Sequence, residues 1–167
     1  MKKTISIFFA LMCLHSFVKA QVSFPDKCLG SWKGVMYIYS QGVLRDSVNV
    51  KMTIAKTDSP NAWIWKTEYL SAKMPQTKDY ILRLKDKDKN IYITDEGGGV
   101  ELNNYVVGNK MYDIFEVQGI TLTSSYEIIG QNLLFEVTSG KRLETSPQGI
   151  TNFSVSNVQR VIFQKID

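Results

Sequence analysis

Histidine is almost absent from this chain, whose 167 residues include one, His15. It lies among the first 20 residues, which have the features of a cleaved leader, so the mature protein would have no imidazole. Such a protein lacks a Ser/His or Cys/His catalytic couple, a histidine-ligated haem and a mixed Cys/His zinc site. We therefore predict a non-enzymatic protein with no metal site and no cofactor.

The leader is basic at its start and apolar in its middle. Met1-Lys2-Lys3-Thr4 precedes residues 5–14, an apolar run that is too short to span a bilayer. Val18 and Ala20 occupy the positions that signal peptidase recognises. We predict a signal peptide over residues 1–20, which makes the mature protein an exported one, periplasmic or secreted.

Cysteine is the next scarce residue, with two in the sequence. Cleavage at Cys13 would give an outer-membrane lipoprotein, but Met12 stands where a small residue is needed, so this interpretation is less favoured. Without the leader, Cys28 has no partner for an intramolecular disulfide, and the single domain over residues 21–167 depends on its apolar core. We predict that Cys28 is a small buried hydrophobe, with pairing to another molecule left open.

Excess charge is lacking as well once the leader is removed. The full chain has 20 basic and 16 acidic residues, a net charge of +4, and loss of Lys2, Lys3 and Lys19 lowers it to +1. A nearly neutral domain gives no electrostatic reason to expect nucleic acid or an anionic membrane as a partner. The mature sequence has no apolar run long enough for a transmembrane helix. A protein partner is left open.

Alternation with a period of two is what the sequence has in abundance. In residues 43–56, Val50, Met52 and Ile54 alternate with polar residues, as in a strand with one buried face. Residues 62–69 repeat the pattern, and no segment has an apolar stripe at helical spacing. Residues 21–27 are interpreted as a polar N-terminal arm.

The number and spacing of the strands predict an all-β fold. About ten strands follow one another through turns of a few residues. A β-sandwich usually needs longer crossings between its sheets, so an antiparallel up-and-down β-barrel of about 8–10 strands is favoured.

The seam of this barrel is predicted where the first and last strands meet. Gly30 permits a backbone dihedral or a close approach that a Cβ would forbid. Gly34 permits a bend or a close neighbour. Trp32 is large enough to plug one end of the barrel, and its indole N–H needs a partner when buried.

The motif Gly30-Ser31-Trp32, together with Arg160 on the predicted last strand, resembles the calycin group: lipocalins, fatty-acid-binding proteins and related bacterial barrels. In that group a guanidinium lies over the indole and closes the barrel end. The resemblance implies a calycin-like barrel closed by this motif and Arg160. Two features depart from fatty-acid-binding proteins: a short turn at residues 40–42 replaces two helices, and Ile162 replaces the tyrosine that follows their ligand-binding arginine.

The resemblance and the alternation together imply a small hydrophobic or amphipathic ligand inside the barrel. An interior wall rich in aromatic side chains suits a flat or amphipathic apolar molecule. The predicted ligand-binding residues are Trp63, Trp65, Tyr69, Tyr80, Leu82, Leu102, Phe135 and Arg160.

Two other functions are compatible with the same residues. Packed tightly, the interior side chains would form an ordinary core. The protein would then be a structural or interaction module, such as a surface-assembly component or a protease-inhibitor-like barrel. An enzyme would need a buried pair of carboxylates facing a cleft. The candidate acids are scattered and solvated by default; they are Asp95, Glu96, Glu101 and Glu116.

Overall fold

The computed structural model describes residues 22–166, so the predicted signal peptide lies outside the described residues. One short helix and eleven strands form the domain. Their bounds are α1 Phe24–Lys27, β1 Gly30–Ser40, β2 Val43–Lys56, β3 Ala62–Tyr69, β4 Gln76–Asp86, β5 Ile91–Gly97, β6 Val100–Val107, β7 Lys110–Val117, β8 Ile120–Ile129, β9 Asn132–Thr145, β10 Thr151–Phe153 and β11 Asn157–Lys165.

Ten of the strands form a closed antiparallel barrel. Each strand from β1 to β7 pairs with the next one in the sequence. β8 then pairs with β9, β9 with β11, and β11 with β1, which closes the ring. The short strand β10 adds to the C-terminal part of β9, outside the ring. The predicted all-β up-and-down barrel of about 8–10 strands is therefore confirmed. No helix among the described residues is both long and apolar enough to cross a membrane.

Two glycines of β1 occupy positions where a side chain would be unfavourable, as the sequence predicts. A Cβ on Gly34 would lie 2.6 Å from a methyl carbon of Val161 and 2.7 Å from the carbonyl oxygen of Ile162. Gly30 has a φ of 126°, a conformation that residues with a Cβ rarely adopt. Both positions therefore favour glycine for the steric reasons given by the sequence.

The predicted contact between Arg160 and Trp32 is wrong. The register places Arg160 opposite Tyr37, whereas Lys165 lies opposite Trp32. Val161 is buried and so faces the interior, which turns Arg160 to the outside. There its guanidinium lies 3.6 Å from the carboxylate of Glu136.

Lys165 takes the position that was predicted for the arginine. Its ammonium nitrogen lies 5.6 Å from the centre of the Trp32 ring, within the range of a cation–π interaction. The run Val161-Ile162-Phe163 is apolar on both faces of the strand, so hydrophobicity alone does not reveal which face is inside. The barrel is closed at this seam with a lysine in place of the arginine.

The segment interpreted as a polar arm instead contains α1, which covers one end of the barrel, here called the base. Ser23 caps the helix, with its hydroxyl accepting from the Asp26 N–H at 3.3 Å. Phe24 and Pro25 are buried. Four residues are too few for a helical periodicity to appear in the sequence.

The prediction that Cys28 is a buried hydrophobe is confirmed. It belongs to the core cluster with Phe24 and Trp32 and has no exposed surface. Burial raises the pKa of its thiol to about 12, although Lys27 and Lys165 oppose the shift. The thiol is therefore protonated and unreactive at neutral pH.

A candidate ligand-binding site inside the barrel

The indole N–H groups at the base of the barrel are paired within the protein. Trp32 Nε1 donates to the carbonyl oxygen of Cys28 at 2.9 Å. Trp63 Nε1 donates to Asp26 Oδ1 at 3.0 Å, and the ammonium of Lys56 lies 3.3 Å from the same oxygen. The buried indole N–H of Trp32 thus has the hydrogen-bond partner that the sequence predicts it to need.

These contacts also set the ionisation of Asp26. Partial burial raises the pKa of its carboxyl, but the hydrogen bonds from Trp63 and Ser23 and the charge of Lys56 outweigh burial and lower it. Asp26 therefore stays ionised and links α1 to β2 and β3.

The other half of the interior contains a cavity of about 250 Å³. It lies further along the same strands, where the side chains leave the centre of the barrel unfilled. The aromatic residues on its wall come from five strands; they are Trp65, Tyr69, Tyr80, Phe115, Tyr126 and Phe135.

Most of the predicted ligand-binding residues lie on this wall. They are Trp65, Tyr69, Tyr80, Leu102 and Phe135. Trp63 and Leu82 are buried in the core but do not line the cavity. Arg160 faces outward and has no access to the interior, for the reason given above. Contact with a ligand stays a prediction for the five residues that line the cavity.

Tyr126 is a wall residue that was not predicted. Its ring stands at 89° to that of Trp65, with centroids 5.2 Å apart, and stacks on that of Phe135 at 4.4 Å. Burial raises the pKa of its hydroxyl, so the phenol is neutral. Residues 120–129 alternate in the sequence, but each of the two faces mixes polar and apolar residues. The pattern therefore does not indicate that Tyr126 faces the interior.

The indole N–H of Trp65 is buried without an acceptor among the described residues. Trp65 is 2% exposed. The Tyr126 hydroxyl interacts with Nε1, and this side-chain interaction lowers the pKa of the phenol and so opposes the effect of burial. The two groups nevertheless do not meet the geometry of a hydrogen bond. An unpaired buried donor costs about 1–3 kcal/mol, and such groups are rare in folded proteins.

Asp113 is a second wall residue that was not predicted. It is 8% exposed, its Oδ1 accepts from the Ser124 N–H at 3.0 Å, and its Oδ2 accepts from the Ser124 hydroxyl at 2.6 Å. Burial raises the pKa of its carboxyl, the Ser124 bonds oppose this, and the charge of Glu96 adds to it. The alternation in β7 places Asp113 at an inward position. The sequence does not single it out, because a carboxylate is by default expected to be solvated.

Glu96 and Lys78 bring further charge to the wall. Burial raises the pKa of Tyr80, and the charge of Glu96 and its hydrogen bond with the phenol add to the shift. The ammonium of Lys78 lies 5.8 Å from the centre of the Tyr80 ring. Glu96 was considered in the sequence as a solvated carboxylate, but the structure places it beside the cavity.

A neutral hydrogen-bond network supports the wall near these charges. Asn104 is 2% exposed, and its amide donates to the hydroxyl of Thr94 at 2.9 Å and to the carbonyl of Leu102 at 3.0 Å. These bonds fix the amide. Among residues 22–166, no group of three or more histidine, cysteine, aspartate or glutamate residues is placed to hold a metal ion.

A larger groove of about 680 Å³ lies on the outer face of β1, β2 and β11, with Arg160 and Lys33 on its edge. Its floor includes Val35 and Ile162, which are 40% and 52% exposed. It is open to solvent and has no buried polar group without a partner, so the interior cavity is the better candidate site.

Comparison with known proteins supports the fold. No protein-family model matches the sequence, and no curated protein matches it. The S-type phycobiliprotein lyase CPES from Guillardia theta superposes with a TM-score of 0.63 at 7% identity, covering 86% of this chain and 91% of that one. Rv2717c from M. tuberculosis superposes with a TM-score of 0.56 at 13% identity, covering 84% and 94%.

A protein of unknown function from the DUF3598 family of Nostoc punctiforme superposes with a TM-score of 0.61 at 12% identity. The match covers 85% of this chain and 49% of the Nostoc protein, so the chain spans about half of that relative's length. At these identities the likeness shows the fold alone. The fold is a calycin-like ten-strand antiparallel barrel.

Proposed function

We propose that this protein binds a small hydrophobic or amphipathic molecule inside the barrel. The observation that carries the proposal is the indole N–H of Trp65, which is buried on the cavity wall without an acceptor. A ligand with an acceptor atom at this point would supply the missing hydrogen bond. The ring of Trp65 would at the same time provide an apolar contact surface.

The size of the cavity limits the ligand. A volume of about 250 Å³ equals roughly eight water molecules in the liquid and lies just below the usual range for drug-sized ligands. A molecule with one or two aromatic rings suits this space. A long acyl chain does not suit it. Arg160 faces outward, and among residues 22–166 no guanidinium lines the cavity to bind a fatty-acid carboxylate.

The interaction-module alternative receives less support. A filled interior would favour it, and the base half is filled by buried side chains such as Met36, Leu82 and Phe163. The cavity occupies the other half, so the barrel is hollow where its aromatic residues gather.

Export is part of the same proposal. Residues 1–20 support a cleaved signal peptide, and a binding protein in the periplasm or outside the cell would meet small molecules directly. Intact-mass measurement on protein isolated from the culture medium and cell fractions tests this. A mass equal to that of a chain beginning at Gln21 supports export. A full-length protein confined to the cytosol contradicts it.

Native mass spectrometry of the protein purified from its own host tests ligand binding. We expect a co-purifying small molecule that is lost from Val137→Phe, which fills the cavity, and retained by Val107→Phe, whose parent side chain is 69% exposed. Binding of the neutral compound 1-naphthylmethanol, measured by calorimetry, provides the second readout. The proposal is contradicted if the protein purified from its host carries no small molecule and does not bind 1-naphthylmethanol.

Glu96 and Asp113 favour a second candidate, an enzyme that uses acid–base chemistry on the bound molecule. Both carboxylates face one cavity, and Asp113 is buried, which is the arrangement that the sequence alone did not provide. Prolonged incubation of the co-purifying molecule with the protein, followed by chromatography and mass spectrometry, tests it. A product that appears with the wild type but not with Glu96→Gln supports catalysis, and an unchanged molecule supports binding alone.

A further inference from the structure

The charges on the cavity wall are unbalanced. The carboxylates of Glu96 on β5 and Asp113 on β7 both line it, and among residues 22–166 Lys78 is the only cationic side chain on the wall. None of the ion pairs formed by the described residues includes Glu96, Asp113 or Lys78. The ammonium of Lys78 faces the Tyr80 ring instead.

Asp113 keeps acceptor capacity for a ligand. Its two oxygens each accept one hydrogen bond from Ser124. An ionised carboxylate has about four lone-pair sites, so one on each oxygen stays available. Ser124 therefore fixes the direction of the carboxylate without saturating it.

The aromatic residues beside the carboxylates also favour a positive charge. The rings of Tyr69, Tyr80 and Tyr126 lie on the same wall, and the negative face of an aromatic ring attracts a cation. The buried phenols keep their protons, since burial raises the pKa of each of the three. They contribute no negative charge of their own and serve as ring surfaces and hydrogen-bonding groups.

We propose that the ligand is an arylalkylamine, bound through its protonated amino group to Asp113 and Glu96 with its ring against Trp65 and Phe135. This inference rests on the proposed function and names the chemical class of its ligand. The unpaired N–H of Trp65 is the independent observation that a ligand belongs here. An acceptor atom elsewhere on the ligand would receive that N–H.

The electrostatics of the cavity wall agree with this class of ligand. The charge of Glu96 raises the pKa of Asp113 in addition to the effect of burial, so the negative charge of Glu96 disfavours the ionised form of Asp113. A cation placed between them removes this repulsion and replaces the water that both carboxylates lose on binding. An anionic ligand of the same shape would increase the repulsion.

Three compounds with one ring system and different charges test the proposal. They are 1-naphthylmethylamine, 1-naphthylmethanol and 1-naphthoate, and their binding to the full mature protein is measured by calorimetry at neutral pH. We expect the amine to bind about tenfold tighter than the alcohol, since hydrogen bonds between charged groups exceed neutral ones by roughly this factor. The naphthoate should bind most weakly.

Substitution of the two carboxylates tests whether they cause the preference for the amine. Asp113→Asn and Glu96→Gln should each lower the preference for the amine over the alcohol by about threefold, since each removes one of the two charges that share the tenfold preference. Glu116→Gln is the matched control, because Glu116 lies on β7 near Asp113 but is exposed. Glu96 is half-buried, so Glu96→Gln keeps the test available if Asp113→Asn does not fold.

The outcomes separate this inference from the proposed function. Binding of the alcohol together with equal or tighter binding of the naphthoate overturns the amine proposal and leaves the binding function standing. A preference for the amine that survives both carboxylate variants also overturns it. If none of the three compounds binds, the inference fails, and the binding function fails with it only if the protein purified from its host also carries no small molecule.

Discussion

Trp63 and Trp65 lie two residues apart on β3, face the same interior and are almost equally buried, at 4% and 2% exposed. The N–H of Trp63 donates to Asp26, whereas that of Trp65 has no acceptor among the described residues. The two indoles therefore mark different halves of the barrel. The indole N–H at the base is paired within the protein, whereas the one on the cavity wall is not.

The carboxylates repeat the contrast. Asp26 at the base accepts from Trp63 and lies beside Lys56, and its pKa is lowered. Asp113 at the cavity has no cation in contact, and its pKa is raised. The base stabilises the ionised form of Asp26, whereas the surroundings of the cavity destabilise the ionised form of Asp113. Stability and binding are thus expected to respond to substitutions at different ends.

Removing the indole at the base should have the largest effect on stability. Trp32 fills the closed end and donates to Cys28, so Trp32→Ala should lower the free energy of unfolding by about 3–5 kcal/mol. Urea denaturation followed by circular dichroism measures this. Trp32→Phe, which keeps a ring but loses the N–H, should cost less. An unfolding midpoint that barely moves in Trp32→Ala would show that α1 and the core close the base without this residue.

The two β3 tryptophans provide the most direct test of the comparison. Trp63→Phe removes a hydrogen bond to an ionised carboxylate and should cost about 1.5 kcal/mol more than Trp65→Phe, which removes an N–H without a partner. Both changes delete a similar amount of ring, so the difference between their urea midpoints isolates the hydrogen bond. Equal losses would mean that Trp65 has a partner in solution.

The ionised state of Asp26 should contribute about 1 kcal/mol at neutral pH. Because its pKa in the folded protein lies below the ordinary value of 3.8, this stabilisation is present above that value and is lost as the pH falls through the folded pKa. The difference in unfolding free energy between the wild type and Asp26→Asn should therefore be constant near neutrality. It should shrink towards zero below about pH 4.

A difference between these two proteins that grows on acidification would reverse the assigned sign. The exposed residue Asp58 provides the control. We expect Asp58→Asn to parallel the wild type over the same pH range, because this carboxyl makes no ion pair among the described residues.

Most of the fold follows from local patterns in the sequence. The strands predicted over residues 43–56 and 62–69 agree with the structure because turn residues with little strand propensity bound each alternating run. The helix α1 could not be predicted in this way. Its four residues are held by Ser23 and by burial against the base, and neither contact is visible as a period.

The candidate site was less predictable, since a binding site breaks the rules by which a core is recognised. Trp65, Tyr69 and Phe135 follow from alternation because bulky apolar residues face inward. Asp113 faces inward as well, but a charged residue is assigned to the outside by default. The unpaired N–H of Trp65 depends on tertiary geometry, and no local pattern of residues encodes it.

The smallest predicted effect concerns the cation at the seam. The ammonium of Lys165 lies 5.6 Å from the Trp32 ring centre, so Lys165→Ala should cost about 0.5 kcal/mol. Arg160→Ala should cost no more, because an exposed ion pair such as that with Glu136 contributes little. The decisive readout is the fluorescence of Trp32 in a variant that carries phenylalanine at positions 63 and 65. Its emission should shift in Lys165→Ala and not in Arg160→Ala, whereas the opposite result would restore the arginine to the closure and reverse the assigned orientation of β11.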